Sequence, residues 1–279
     1  MPARTIATRD GVILDPHRFA EHATLSRPAC HPSLDPWIEH YWTVQWSLPP
    51  GASYRSSLVP VAQTNLTIES GQCSRPGVRE PGVFLTGVVS RTRFDVTMTG
   101  SGGVIGAKFR PGALTAITGV RADRLRDEVV PAARLLAGAD TLAGLHPSAP
   151  DALDRLDAFL LARMPGDDGE LAVVASMIQA LEESAPTMSA SELADRCGLG
   201  LRSLQRLCRH YIGVGPQWLV ARARVHAAIA RLHGGDYDTL ASLAVELGWF
   251  DQAHMGRDFT ALVGEPPGSY RDRVRHGAD

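Results

Sequence analysis

The chain has 279 residues with 44% hydrophobic and 21% charged side chains, enough for two domains with sizeable buried cores. Its formal net charge of −2, from 28 basic and 30 acidic residues, argues against a polybasic, histone-like binder of nucleic acid. No apolar run approaches the roughly 18 residues of a membrane-spanning helix, so no membrane partner is expected.

The N-terminus, Met1-Pro2-Ala3-Arg4-Thr5-Ile6, lacks the apolar core of a secretory signal. Four scattered cysteines (Cys30, Cys73, Cys197, Cys208) give neither a disulfide framework nor a zinc spacing. A reducing cytoplasm is the expected compartment, and no cofactor or metal is expected.

The first third reads as short strands punctuated by glycine and proline: 41–47, 65–69, 83–89, 93–98 and 104–109. Strands at roughly ten-residue spacing predict an antiparallel sheet or small barrel. Within 65–69, polar and apolar residues alternate. Trp42, Trp46, His40 and Arg110 read as core aromatics and a salt-bridged arginine, with a shared pocket as the alternative.

From about residue 111 the pattern turns helical. Leu153, Leu156, Leu160 and Leu161 share one helical face, and a further helix is expected from Glu170 to Glu183. Ser184-Ala185-Pro186 reads as a boundary, because the residue before proline is pushed out of helical geometry. The expected class is α+β: a β-rich domain over 1–125, a helical connector over 126–186, and an all-α domain over 187–275.

The last 90 residues repeat internally. At an offset of 50, Leu193, Ala194 and Gly198 match Leu243, Ala244 and Gly248; at 51, Leu204, Arg206, Gly213 and Pro216 match Met255, Arg257, Gly264 and Pro267. Cys208 and Phe259 share one apolar slot. Each unit reads as a helix-turn-helix, with a small alanine at the helix crossing and a glycine ending the first helix. Ser189-x-x-Glu192 forms a capping box, and Asp251 is placed to cap a helix. The second helices are expected at about 201–211 and 251–262.

Between the units, Pro216 to His233 predicts one helix of 18 residues ending at Gly234-Gly235. At 1.5 Å per residue this strut is roughly 27 Å long, near the roughly 34 Å between successive major grooves on one duplex face. From Arg196 to Gly235 there are seven arginines and no acid, so phosphate contacts are expected there.

These residues, from about Thr187 to Arg271, resemble the C-terminal DNA-binding domain of the AraC/XylS family of transcription regulators. The most diagnostic run is Leu243-Ala244-x-x-x-Gly248-Trp249-x-Asp251-Gln252-x-His254-Met255-x-Arg257-x-Phe259, followed by Gly264-x-x-Pro267-x-x-Tyr270-Arg271. Two departures are Ala253-His254-Met255, where the family commonly has serine-tyrosine-phenylalanine, and Cys208 in place of phenylalanine.

The resemblance implies a non-enzymatic, sequence-specific regulator with two recognition helices in successive major grooves of double-stranded DNA. Arg202, Gln205 and Arg206 face DNA on the first helix, and Gln252, His254 and Arg257 on the second. Arg209, Arg222 and Arg224 look like backbone clamps or intramolecular partners. Arginine suits guanine and glutamine suits adenine, each bidentate.

The N-terminal part, through Gly106-Ala107-Lys108-Phe109-Arg110-Pro111-Gly112, resembles the β-rich domain that precedes this DNA-binding domain in an actinobacterial-type subgroup. In the wider family such domains are often cupin-like, and bind a small effector or mediate dimerisation. A small effector, RNA polymerase and a second copy of the chain are the further partners implied, with a nucleoid-associated location.

Three rivals stand beside this reading. A metal-dependent cupin enzyme needs a His-x-His spacing that His17, His22, His31 and His40 do not have. A DNA alkylation-repair protein needs an activated thiolate, for which Cys30 beside His31 is the candidate. An interaction module that has lost DNA binding is at odds with Gln205, Arg206, Gln252 and Arg257 standing together.

Overall fold

The computed structural model describes residues 13–276, apart from 92, 167–168 and 184–185. The chain opens with α1 (Pro16–His22), capped by Asp15, whose side chain accepts from the Arg18 amide. There follow β1 (Ala23–Ser26), β2 (Ile38–Ser47), β3 (Ser53–Leu58), β4 (Asn65–Ser74), β5 (Gly82–Thr86) and β6 (Phe94–Phe109). After α2 (Ala113–Thr118), β7 (Val129–Pro131) completes an antiparallel sheet in the order β1-β2-β6-β4-β5-β7, with β3 also on β6.

The stretches 93–98 and 104–109, expected as separate strands, are one continuous strand of 16 residues. The Gly100-Ser101-Gly102-Gly103 run that reads as a turn bends β6 instead of reversing it. Its first half pairs with β3 and the end of β4, and its second half with β2 and the start of β4. The helical pattern expected from about residue 111 is also interrupted. Short 3-10 turns at Ala122–Arg124, Ala132–Arg134 and Ala139–Leu142 and the strand β7 intervene before α3 (Ala152–Leu161). Gly119, Gly138 and Gly144, all at positive φ, turn the chain in that interval.

The alternation along the strands sorts the sheet into two buried faces. Leu66 and Ile68 on β4 and Ile105, Ala107 and Phe109 on β6 pack against Leu114 of α2 and Leu156, Phe159 and Leu160 of α3. Their neighbours Asn65, Thr67 and Glu69 point to the other side, where they line a cavity. That face is opened by paired tryptophans and glycines. Trp42 stands opposite Gly106 and Trp46 opposite Gly102 across β2 and β6. A Cβ at Gly106 would lie 2.0 Å from the Trp42 ring, and one at Gly102 2.4 Å from the Trp46 ring. Glycine at these two positions lets the indoles lie flat over the sheet.

The helical part continues with α4 (Gly169–Glu183), α5 (Ala190–Arg196), α6 (Leu201–Tyr211), α7 (Pro216–Gly234), α8 (Leu240–Glu246), α9 (Gln252–Val263) and α10 (Pro267–His276). Two cores lie along α7. Leu219 and Val220 join Val174, Met177 and Leu181 of α4 and Leu193, Leu204 and Cys208 of α5 and α6. Val225, Ala228, Ile229 and Leu232 join Leu243, Met255, Phe259 and Tyr270 of the last three helices. The β-domain closes both cores: Ala62 and Val88 enter the first, Leu14 and Val59 the second.

Candidate DNA-binding surface and internal cavity

The repeat is realised down to its caps. In α5, Ser189 Oγ accepts from the Glu192 amide (3.2 Å) while Glu192 accepts from the Ser189 amide (2.7 Å). In α8, fifty residues on, Thr239 and Ser242 form the same reciprocal pair at 3.0 Å each. This second box was missed in the sequence because serine, not glutamate, occupies the third helical position; the fifty-residue offset itself would have located it. The paired glycines 198/248 and 213/264 all have positive φ, ending equivalent helices in the left-handed conformation. Asp251 caps α9 as expected, its side chain accepting from the His254 amide at 2.7 Å.

The two second helices bury equivalent faces. Leu204, Cys208, Tyr211 and Ile212 correspond, 51 residues on, to Met255, Phe259, Leu262 and Val263, all buried. Cys208 fills the phenylalanine-type slot with its sulfur 3.4 Å from that of Met177. Arg206 and Arg257 therefore stand at one register, and both are exposed. On α6, Arg202, Arg206 and Arg209 are exposed and Gln205 is half-buried. At 3.6 residues per turn all four lie along one stripe.

The second helix differs. Its equivalents of Arg202, Gln205, Arg206 and Arg209 are Ala253, Gly256, Arg257 and Thr260. Gln252 and His254 instead correspond to Leu201 and Ser203. Gln252 is exposed at the first turn, roughly 140° around the helix from Arg257. His254 is half-buried, with Nε2 3.6 Å from Asp258 Oδ2, and the Trp249 indole donates to that same oxygen at 2.8 Å. Phe250, in the turn before α9, is 88% exposed and was not singled out in the sequence. A large aromatic between Trp249 and the capping Asp251 was the available signal.

Arg222 and Arg224 both turn inward. Arg224 forks onto three carbonyls of the α4–α5 connection, with Nε on Pro186 O (3.0 Å) and Nη2 on Thr187 and Met188 O (3.2 Å each). Arg222 Nε donates to Pro60 O of the β-domain at 3.0 Å, and His226 Nε2 lies 3.3 Å from the same oxygen. Burial lowers Arg222 to about 10, against the opposing pull of Glu182 and Glu39. Burial, reinforced by Arg222, pushes His226 down to about 3. His226 is thus neutral and donates to Pro60 O. Arg209 borders a surface formed with Arg121, Arg124, Arg126 and Asp123 of the β-domain.

Inside the β-domain lies a cavity of about 230 Å³. Trp42, Trp46 and His40 line it, so these three share a pocket; Trp46 at the same time belongs to a buried cluster with Phe19, Tyr54 and Met98, against which Trp42 packs. Arg110 does not join them; it is exposed, and its Nε donates to Asp35 O at 2.5 Å. The polar wall is internally paired. Arg75 donates to Glu69 Oε1 at 2.6 Å and to Thr67 and Thr86 at 3.2 Å, Lys108 Nζ lies 3.2 Å from Glu39 Oε1, and the Trp42 indole donates to Asn65 Oδ1 at 3.2 Å.

The thiols point away from nucleophilic chemistry. Burial raises Cys30, and Asp35 and Asp157 raise it further; burial also pushes Cys73 and Cys208 to about 12. A methyl-accepting thiolate needs the opposite environment.

Residues 193–273 match the family described as a helix-turn-helix domain, and residues 26–131 match a domain of unknown function, DUF6597. A putative AraC-like transcription regulator of Streptomyces lividans is 30% identical over 100 residues, which are 36% of this chain and 33% of the relative. The match thus spans about a third of that relative's length. Among solved structures, the DNA-binding domain of AdpA in complex with a target DNA is 26% identical, covers 39% of this chain and 96% of that one, and has a TM-score of 0.34. ToxT of Vibrio cholerae with a bound unsaturated fatty acid is 11% identical, covers 83% of this chain and 94% of that one, and has a TM-score of 0.42. The C-terminal part of the chain thus carries a helix-turn-helix domain similar to part of an AraC-like regulator, and it follows an antiparallel β-sheet region that matches DUF6597.

Proposed function

We propose that the chain is a transcription regulator that binds double-stranded DNA in a sequence-specific manner through α6 and α9. The observation that carries this reading is the duplicate unit in one register, with Arg206 and Arg257 at the same exposed position of two identically buried helices. The strut α7 is 19 residues, roughly 28 Å, which suits helices entering successive major grooves. Arg202, Gln205 and Arg206 supply bidentate chemistry for guanine and adenine edges. Arg257 repeats that chemistry on α9, with His254 on the neighbouring turn, Gln252 at the first turn on another side of the helix, and Ala253 small enough to approach a thymine methyl group. Arg209 serves the phosphate backbone.

In this reading the cavity of the β-domain is where a small effector acts, and the shared cores along α7 are how the domains communicate. The test is selection from a random-sequence duplex library with the full chain, followed by gel-shift titration in rising salt. Enrichment of a site with two elements about one helical turn apart is expected. Absence of binding at low ionic strength overturns the reading.

A further inference from the structure

Gln63 sits in the cavity wall and is only 9% exposed. Its Nε2 donates to Glu39 Oε2 at 3.0 Å, while its Oε1 meets no donor among the described residues. Exchanging the amide's oxygen and nitrogen would set the oxygen against the Glu39 carboxylate, so this orientation is fixed by charge. A buried acceptor left without a donor costs about as much as a lost hydrogen bond. The strongly polar neighbours, Arg75 with Glu69 and Lys108 with Glu39, are already matched, and their charges cancel. Arg27 is exposed. The remaining wall is mostly apolar, including Phe19, Leu25, Val44, Val96 and Met98 around the two indoles. An apolar cavity of about 150 Å³ takes a benzene ring, so about 230 Å³ has room for two fused rings.

The segment carrying Gln63 also holds the helical domain. Val59 and Ala62 enter the cores of the second and first units, and between them Pro60 O takes hydrogen bonds from Arg222 and His226 on α7. Val59, Pro60, Val61 and Gln63 are at the same time wall residues of the cavity. Glu39, the partner of Gln63, also acts on Arg222.

We infer that the cavity takes a neutral, mainly apolar molecule of about two fused rings bearing one O–H or N–H group that donates to Gln63 Oε1, and that its binding is felt at α7 through residues 59–63. A charged ligand would lose its hydration against buried wall ions that are already paired, Arg75 with Glu69 and Lys108 with Glu39. The part concerning α7 rests on the DNA-binding reading; the part concerning the ligand does not.

The test uses the full chain, with 2-naphthol and its methyl ether 2-methoxynaphthalene as probes in titration calorimetry. The wild type is expected to bind the naphthol about tenfold tighter, as one hydrogen bond to a buried acceptor implies. Gln63→Leu, with a thermal melt as the folding control, binds both probes equally. No binding of either probe, equal binding by the wild type, or a retained preference in Gln63→Leu overturns the ligand assignment.

For the second part, gel shifts on the selected duplex are run with and without 2-naphthol. The expected result is a change in Kd of at least about threefold, lost in Arg222→Gln and His226→Phe, both of which keep their naphthol affinity. An unchanged Kd in the wild type, with the probe bound, overturns the transmission. If the wild type binds no duplex, the regulator reading fails while the calorimetry still decides the ligand.

Discussion

Arg206 and Arg209 share a stripe on α6 but have different work in the proposed complex. Arg206 stands mid-helix among the residues proposed to read bases, whereas Arg209 lies in the last turn of the helix beside Arg121, Arg124 and Arg126. Arg206→Ala is expected to cost about 1–3 kcal/mol of DNA affinity and to relax discrimination at one base step, read by gel shift on single-base variants of the selected site. Arg209→Ala should weaken all sequences alike and lower the slope of log K against log salt by about 0.9. Arg224 is a residue of a different kind, because its planar fork meets three successive carbonyls of the α4–α5 connection. A lysine keeps the charge but cannot span them. Arg224→Lys should therefore lose about 1–2 kcal/mol of stability in urea unfolding, while an intact α6 preserves the salt dependence of DNA binding.

Among the elements, those governed by local chemistry were legible and those governed by tertiary contacts were not. The start of α5 follows from its capping box, and the limits of α7 from a proline in the first turn and a terminal glycine, all readable along a few residues. The strand β6 was read as two because a glycine-rich run has the composition of a turn; only its pairing with both β2 and β3 shows that it bends. The alternation on β4 has a related ambiguity. Polar Asn65, Thr67 and Glu69 alternate with apolar residues, yet Thr67 and Glu69 are buried, because Arg75 donates to both and Thr67 donates to Glu69 inside the domain. The arginines of the first unit were visible as an acid-free run, but which of them face outward was settled by burial of the opposite side of the helix. Of the two readings given for Arg222, backbone clamp or intramolecular partner, its hydrogen bond to Pro60 O supports the second. The equivalent glycines 213 and 264 let this tertiary component be measured. Both adopt the left-handed conformation, which costs a non-glycine residue about 1–2 kcal/mol. A Cβ at 213 would also lie 2.8 Å from the carbonyl oxygen of Ala122 in the β-domain, whereas at 264 it would meet the flexible Arg93 side chain at 3.2 Å. Gly213→Ala is expected to be the more destabilising of the two in thermal unfolding, with a difference of about 1 kcal/mol or more.

At the scale of the whole molecule, the contact between the β-domain and α7 is built around groups that titrate far from their usual range. His226 is the sharpest case. Burial, Arg222 and Lys108 all disfavour its protonation, only the bond to Pro60 O favours it, and the balance lies at about 3. In the unfolded chain a histidine titrates near 6.5. Below pH 6.5 the unfolded state therefore takes up a proton that the folded state refuses, and stability falls with falling pH until the folded value near 3 is reached. Between pH 7 and pH 5 this one residue should cost about 1–2 kcal/mol. His233, also held low by burial, acts in the same direction. Its contribution is common to wild type and variant, so the difference between them isolates His226. The measurement is urea unfolding of the full chain and of His226→Gln at both pH values. The variant should show a shallower loss on acidification, and its stability relative to the wild type should improve as the pH is lowered. An identical pH dependence in the two proteins would place the proton uptake elsewhere and remove His226 from the link between the domains. If the dependence is shallower as expected, the same pair of proteins should differ in how steeply naphthol-coupled DNA affinity changes over that range, because the proton and the cavity ligand then act on one carbonyl, that of Pro60.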